Sequence, residues 1–186
     1  MSWLDPTTKR LTRTLLALAL AGLAAGCFQP LYGDQSVVGG AGLGVKLSSV
    51  DVSPIDAPNG TRLSRVGVEL RNELLYELTG GGGAAPPNYK LDIRLTSQQT
   101  QVIVDINTAR PDIQNYGIDA TYTLTDMATG RKVVSGQTFS RVSYNIPGQQ
   151  QRFAGDRGLR DAENRAAKVI SENIRSRLAS YFVAGT

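Results

Sequence analysis

The sequence predicts an α+β fold: two helices packed on one face of a mostly antiparallel four-stranded sheet, in the order β-α-β-β-β-α. Three observations carry that expectation. Between residues 89 and 144 apolar and polar residues alternate with a period of two, the pattern of strands with one buried face. Two other segments repeat apolar residues every three to four positions, which places an apolar stripe along a helix. The strand segments cluster between the two helical ones instead of alternating with them, so the helices lie together on a sheet.

The elements follow in order. Val45 to Val52 (VKLSSVDV) reads as a first strand, stopped by Ser53-Pro54. Asn59-Gly60-Thr61 then offers helix-start chemistry ahead of Leu63, Val66, Leu70, Leu74 and Leu78, with Gly80 as the C-terminal cap. Tyr89, Leu91, Ile93 and Leu95 alternate with Lys90, Asp92 and Arg94, and Gln101 to Ile106 continues in the same style, as the same strand or its extension. Tyr116, Ile118, Ala120, Tyr122 and Leu124 form the next strand. Met127-Ala128-Thr129-Gly130 turns it into Lys132 to Tyr144 as an antiparallel hairpin. The last helix is expected from about Asp156 to Phe182, burying Leu159, Ala162, Ala166, Val169, Ile170, Ile174, Leu178 and Phe182. Within it Asp161 and Arg165 stand in the favourable i,i+4 order. Because a helix lies between the first two strands, their connection is a crossover, right-handed if those strands are parallel.

Ahead of the domain lies a different kind of sequence. Lys9, Arg10 and Arg13 precede the apolar run Leu15 to Ala25, about the length of a signal h-region and too short to span a bilayer. It ends in Leu23-Ala24-Ala25-Gly26-Cys27, with Cys27 the only cysteine of the chain. This resembles the lipobox of a bacterial lipoprotein, in which the thiol is alkylated by a diacylglycerol and becomes the new N-terminus. The usual lipobox has Leu where Ala24 stands. Ala24-x-Gly26 also meets the small-x-small rule of ordinary cleavage, so plain secretion is the second reading and an uncleaved anchor the third. The expected organisation is a signal peptide over 1–26, a lipidated Gly-rich tether over 27–43, and one periplasmic domain over 44–186. Phe28 follows the cysteine, where an Asp generally marks retention in the inner membrane of such lipoproteins; the outer membrane is the expected location.

Composition narrows the function. Removing Lys9, Arg10, Arg13 and Asp5 with the signal leaves a net charge of +2, too weak a bias to argue for nucleic acid. The chain has no histidine, which removes the commonest metal ligand and general base together. With one cysteine no intrachain disulfide can form. No G-x-S-x-G elbow is present, and Gly80 to Gly83 lacks the Lys-Ser/Thr of a phosphate loop. Carboxylate pairs such as Asp112 with Asp119, or Asp51 with Asp56, read better as turn and solvated-strand residues. The expectation is no catalytic residue, no metal and no cofactor. Basic side chains are the better lead: Arg110 beside Pro111, Arg131 and Lys132 in the hairpin turn, and Arg152 and Arg157 flanking Phe153 before the last helix. Guanidinium groups bind phosphate bidentately.

Cys27-Phe28-Gln29-Pro30-Leu31-Tyr32-Gly33 at the mature start resembles the lipopolysaccharide-assembly lipoproteins of the LptE family, in their alphaproteobacterial form. Ser143-Tyr144-Asn145, Phe153-Ala154, Asp161 to Ala167 (DAENRAA) and Ile174 to Leu178 (IRSRL) support it. Many members read Cys-Gly-Phe at the start; here Phe28 follows Cys27 directly. The resemblance implies a plug in the lumen of the outer-membrane β-barrel LptD that helps the barrel assemble and deliver lipopolysaccharide to the outer leaflet, without catalysis. A Thr- and Ser-rich sheet face suits a polar lumen. It also implies lipopolysaccharide contacts through basic side chains, with Arg110 the first carry-over and Arg152 or Arg157 the next. Two other classes stand beside it: an independent periplasmic lipoprotein binding a ligand or peptide, and a hydrolase with an unrecognised dyad.

Overall fold

The computed structural model describes residues 42–105, 110–146 and 152–184. The expected signal segment, Cys27 and the expected tether up to residue 41 lie outside the described residues. The elements are α1 (Leu43–Ser48), β1 (Val50–Val52), α2 (Arg62–Thr79), β2 (Tyr89–Asp105), β3 (Arg110–Asp126), β4 (Lys132–Asn145) and α3 (Arg152–Ala184). The four strands form one sheet in the order β1-β2-β3-β4. β1 runs parallel to β2 over three residue pairs, and β2-β3 and β3-β4 are antiparallel. The sheet is therefore mixed, antiparallel in two of its three pairings.

One inward face carries the core. Leu91, Ile93 and Leu95 of β2 stand opposite Leu124, Tyr122 and Ala120 of β3, and Leu124 faces Val134 of β4. α2 covers β1 and β2, while α3 covers β3 and β4 and packs along α2. Val66, Leu70, Leu74 and Leu78 from α2, and Ala162, Ala166, Ile170, Ile174 and Leu178 from α3, close that layer and are all buried. Their spacing is the stripe read from the sequence, except that Val169, expected in it, sits at its edge and is 40% exposed, and Phe182 is only partly buried.

α2 begins where the side-chain chemistry places it. Thr61 is extended at φ −89° and its hydroxyl accepts the Ser64 N–H at 3.2 Å, an N-cap. It ends at Gly80, left-handed at φ 64°, a conformation that disfavours a Cβ. Thr61→Ala is expected to cost about 1 kcal/mol, read as a shift in denaturant midpoint at constant slope. An unchanged midpoint would show that the cap carries no stability.

Three expectations need correction. The segment expected as a strand from Val45 to Val52 is a short helix followed by a strand of only Val50–Val52. Leu43 and Leu47, four residues apart, are both buried while Val45 is exposed; the four-residue period outweighs the apparent alternation. The serine hydroxyls reinforce the turn, Ser49 donating to the Lys46 carbonyl at 2.7 Å and Ser48 to that of Val45 at 3.0 Å. Leu43, expected as the last tether residue, belongs to the core. The last helix also starts four residues earlier than Asp156, so Arg152 and Arg157, expected before it, lie within its first two turns.

α2 and α3 run parallel and are tied at three levels by side chains distant in sequence. Arg62 pairs with Asp156 at 3.2 Å and Glu77 with Arg175 at 3.3 Å. Between these levels, Arg65 pairs with the buried Glu163 and donates to Asn164 Oδ1 at 3.0 Å. The expected Asp161–Arg165 pair forms within α3 at 2.7 Å.

Candidate interaction surfaces

The helices cover one face of the sheet and leave the other open. Strand alternation sends every second side chain outward, and the register stacks them in rows: Asp92–Thr123–Ser135, Arg94–Thr121–Gln137, Thr96–Asp119–Phe139, Gln98–Gly117–Arg141 and Thr100–Asn115–Ser143. This face is dominated by hydroxyls and amides. Much of its charge is paired internally: Lys90 lies 3.8 Å from Asp92, and Arg141 grips Asp119 through one nitrogen at 2.8 and 3.0 Å.

At its centre the face carries an ordered aromatic. Phe139 is 66% exposed, and the Arg141 guanidinium lies 5.4 Å from its ring centroid. Arg141 Nη1 also donates to the Ile118 and Ser140 carbonyls at 3.0 and 3.1 Å. Its stem crosses Gly117, where a Cβ would meet Arg141 Cδ at 2.7 Å. Glycine at that position lets the guanidinium lie flat between carboxylate and ring. An aromatic beside a pre-ordered arginine, among uncharged polar groups, is the composition of protein interface centres. None of this trio is among the residues expected from the sequence; its local signal is Phe139 standing at a polar position of an alternating strand.

Beside it an open trough of about 860 Å³ is lined by Pro54, Asp56, Arg94, Thr121, Lys132 and Gln137 among others. Its walls are too polar and open for the apolar enclosure of a small-molecule pocket. Of the carboxylates considered for acid/base work, Asp119 is held by Arg141, and the Asp112 side chain lies outside the described residues. Among the described residues no group of three His, Cys, Asp or Glu side chains could hold a metal.

The strands run between two distinct ends. At the entry end are α1, the starts of β1 and β2, the β3–β4 turn and the C-terminus of α3. At the opposite end are the β2–β3 hairpin tip, the end of β4 and the start of α3. Arg110, first residue of β3, pairs through its backbone with Asp105 at that tip. Asn145, last of β4, stands opposite Ile113, and Gly158 of α3 approaches the Asn145 carbonyl. The fold therefore brings Arg110, Arg152 and Arg157 to one end. Arg157 is exposed there, whereas the side chains of Arg110 and Arg152 lie outside the described residues. Arg131 and Lys132 occupy the entry end. Just inside the hairpin, burial raises the phenol of the buried Tyr116 above its ordinary pKa.

Residues 47–178 match the family model described as LptE, lipopolysaccharide-assembly. A putative lipoprotein from Caulobacter crescentus has a similar structure: TM-score 0.60, 23% identity, 78% of this chain and 98% of that chain covered. The rare lipoprotein B from Shewanella oneidensis matches with TM-score 0.52 and 12% identity, covering 73% of this chain and 96% of its own. An uncharacterized lipoprotein B from Nitrosomonas europaea gives TM-score 0.52, 13% identity and coverages of 74% and 90%. These likenesses establish the shared fold. No curated protein matches the chain.

Proposed function

Because this chain belongs to the LptE family of lipopolysaccharide-assembly proteins, we propose that it is an outer-membrane lipoprotein acting as plug and assembly partner of the β-barrel LptD. In that role it aids delivery of lipopolysaccharide to the outer leaflet. The observation that carries the reading is the family match over 47–178. The open sheet face supports it physically. A barrel lumen is polar, and a face of hydroxyls and amides with internally neutralised charge meets such a wall without leaving many ions to desolvate. Phe139, held beside Arg141, is the anchor of that contact.

The hairpin-tip end then carries the lipopolysaccharide contacts. Arg110, Arg152 and Arg157 are the residues proposed to meet lipid A phosphates, where charge-assisted bidentate hydrogen bonds form. Cys27 supplies the lipid anchor, and among the described residues no helix is long and apolar enough to cross a membrane.

The experiment is mild-detergent co-purification of the tagged chain from outer membranes, with partners identified by mass. A near-stoichiometric large β-barrel is expected, and Phe139→Ser with Arg141→Ala should reduce its recovery several-fold while the chain stays folded. A clean monomer, under conditions that keep other outer-membrane complexes intact, would overturn the plug role in favour of an independent periplasmic ligand- or peptide-binding lipoprotein.

A further inference from the structure

We propose that the entry end of the domain docks on the lipid leaflet that holds the acyl chains of Cys27, standing the sheet with its hairpin tip away from that surface. This goes beyond the plug role and rests on lipidation at Cys27.

Four of the eight exposed large hydrophobics of the described residues lie at this end: Val45, Tyr76, Met127 and Val183. They come from four separate elements that the topology gathers. Lys46 Nζ reaches the Phe182 carbonyl, tying α1 to the end of α3, and the Met127 N–H donates to Asn88, tying the β3–β4 turn to the start of β2. Tyr76 lies against Gly81, where a Cβ would stand 2.9 Å from its ring. From Gly80 to Asn88 the chain carries no charge, and Pro86 and Pro87 are exposed.

Charge at this end is mixed, with Asp51 of β1 exposed as well as basic side chains of the β3–β4 turn. Arg131 and Lys132 are exposed in the turn. The neighbouring Asp126 carboxylate is occupied, accepting the N–H groups of Ala128 and Thr129 at 2.8 and 3.0 Å. Small apolar side chains and tyrosine beside basic residues match a headgroup layer containing anionic lipid.

What selects lipid over a protein partner is the covalent route into the domain. The chain enters through Leu43, 16 residues after Cys27, so the entry end lies within about 55 Å of the anchor even at full extension. A patch of a few side chains is too small to hold a free protein to a bilayer. Tethering changes this, because a linker of such length raises the effective concentration toward the millimolar range.

The test uses the full chain, purified from the outer membrane with whatever modification it carries, in phosphatidylethanolamine vesicles containing phosphatidylglycerol. An environment-sensitive fluorophore is placed on Ala128→Cys in the turn, or on Gln98→Cys, nine residues along β2 and about 30 Å from the entry end; an acylated Cys27 does not react. Lipid-borne quenchers are expected to dim the label at residue 128 several-fold more than that at 98. Met127→Asp, or Arg131→Glu with Lys132→Glu, should abolish the difference. If the chain floats with the vesicles and both labels stay equally exposed to water, docking is overturned while the anchor stands. If it does not float, the lipidation reading and the docking both fall. Neither result bears on co-purification of the barrel, which tests the plug role separately.

Discussion

Arg65→Ala is expected to lower the free energy of unfolding by about 3 kcal/mol. Glu163 is 1% exposed, and its charge is balanced by Arg65. Removing the guanidinium leaves a carboxylate in a low-dielectric site, where desolvation is no longer offset by attraction. Breaking a buried pair in this way typically costs 3–5 kcal/mol. The low end applies because Arg65 is itself 31% exposed, so water can follow into the space it vacates. Glu163→Gln removes the charge but keeps the shape and should cost less than half as much. In the double variant Arg65→Ala with Glu163→Gln the penalties should not add, because neither group then leaves a bare charge. The measurement is equilibrium denaturation of all four proteins. A loss below about 1 kcal/mol for Arg65→Ala would mean that the pair behaves as an ordinary surface ion pair.

That pair also marks the limit of what could be read from the chain. The two long helices were legible because their apolar stripes are sustained over several turns, and the cap residues Thr61 and Gly80 state their ends locally. β2, β3 and β4 were legible because alternation is a local property of each strand. α1 was not: six residues hold less than two turns, and Val45-Lys46-Leu47 imitates a strand until Leu43 is known to be buried. The tie between Arg65 and Glu163 joins residues 98 positions apart, which no periodicity reports. At the candidate surface the same division holds. The Thr- and Ser-rich outer face follows from alternation, but the grip of Arg141 on Asp119 across Gly117 depends on the register of β3 against β4. The gathering of Arg110, Arg152 and Arg157 at one end likewise needed the direction in which α3 leaves β4.

Cys27→Ala, carried on a signal that is still cleaved, is expected to move the chain almost completely from the membrane fraction to the soluble periplasm, folded. Each buried methylene contributes about 0.8 kcal/mol, and two or more acyl chains hold a protein stably where one holds it marginally. Without them the described domain offers no crossing helix, only the small entry-end patch, whose contact depends on the tether. The core itself asks nothing of the lipid: it runs from Leu43 to Phe182 and is closed by side chains of the sheet and helices. The variant should therefore unfold at the same denaturant concentration as the acylated chain in detergent. Persistence in the membrane after a high-salt wash would overturn the lipid as the anchor and favour an uncleaved apolar segment. A soluble but unfolded product would overturn the independence of the fold. A folded, soluble product with weakened but detectable barrel recovery would separate the two contributions: acylation supplies proximity, and the sheet face supplies recognition.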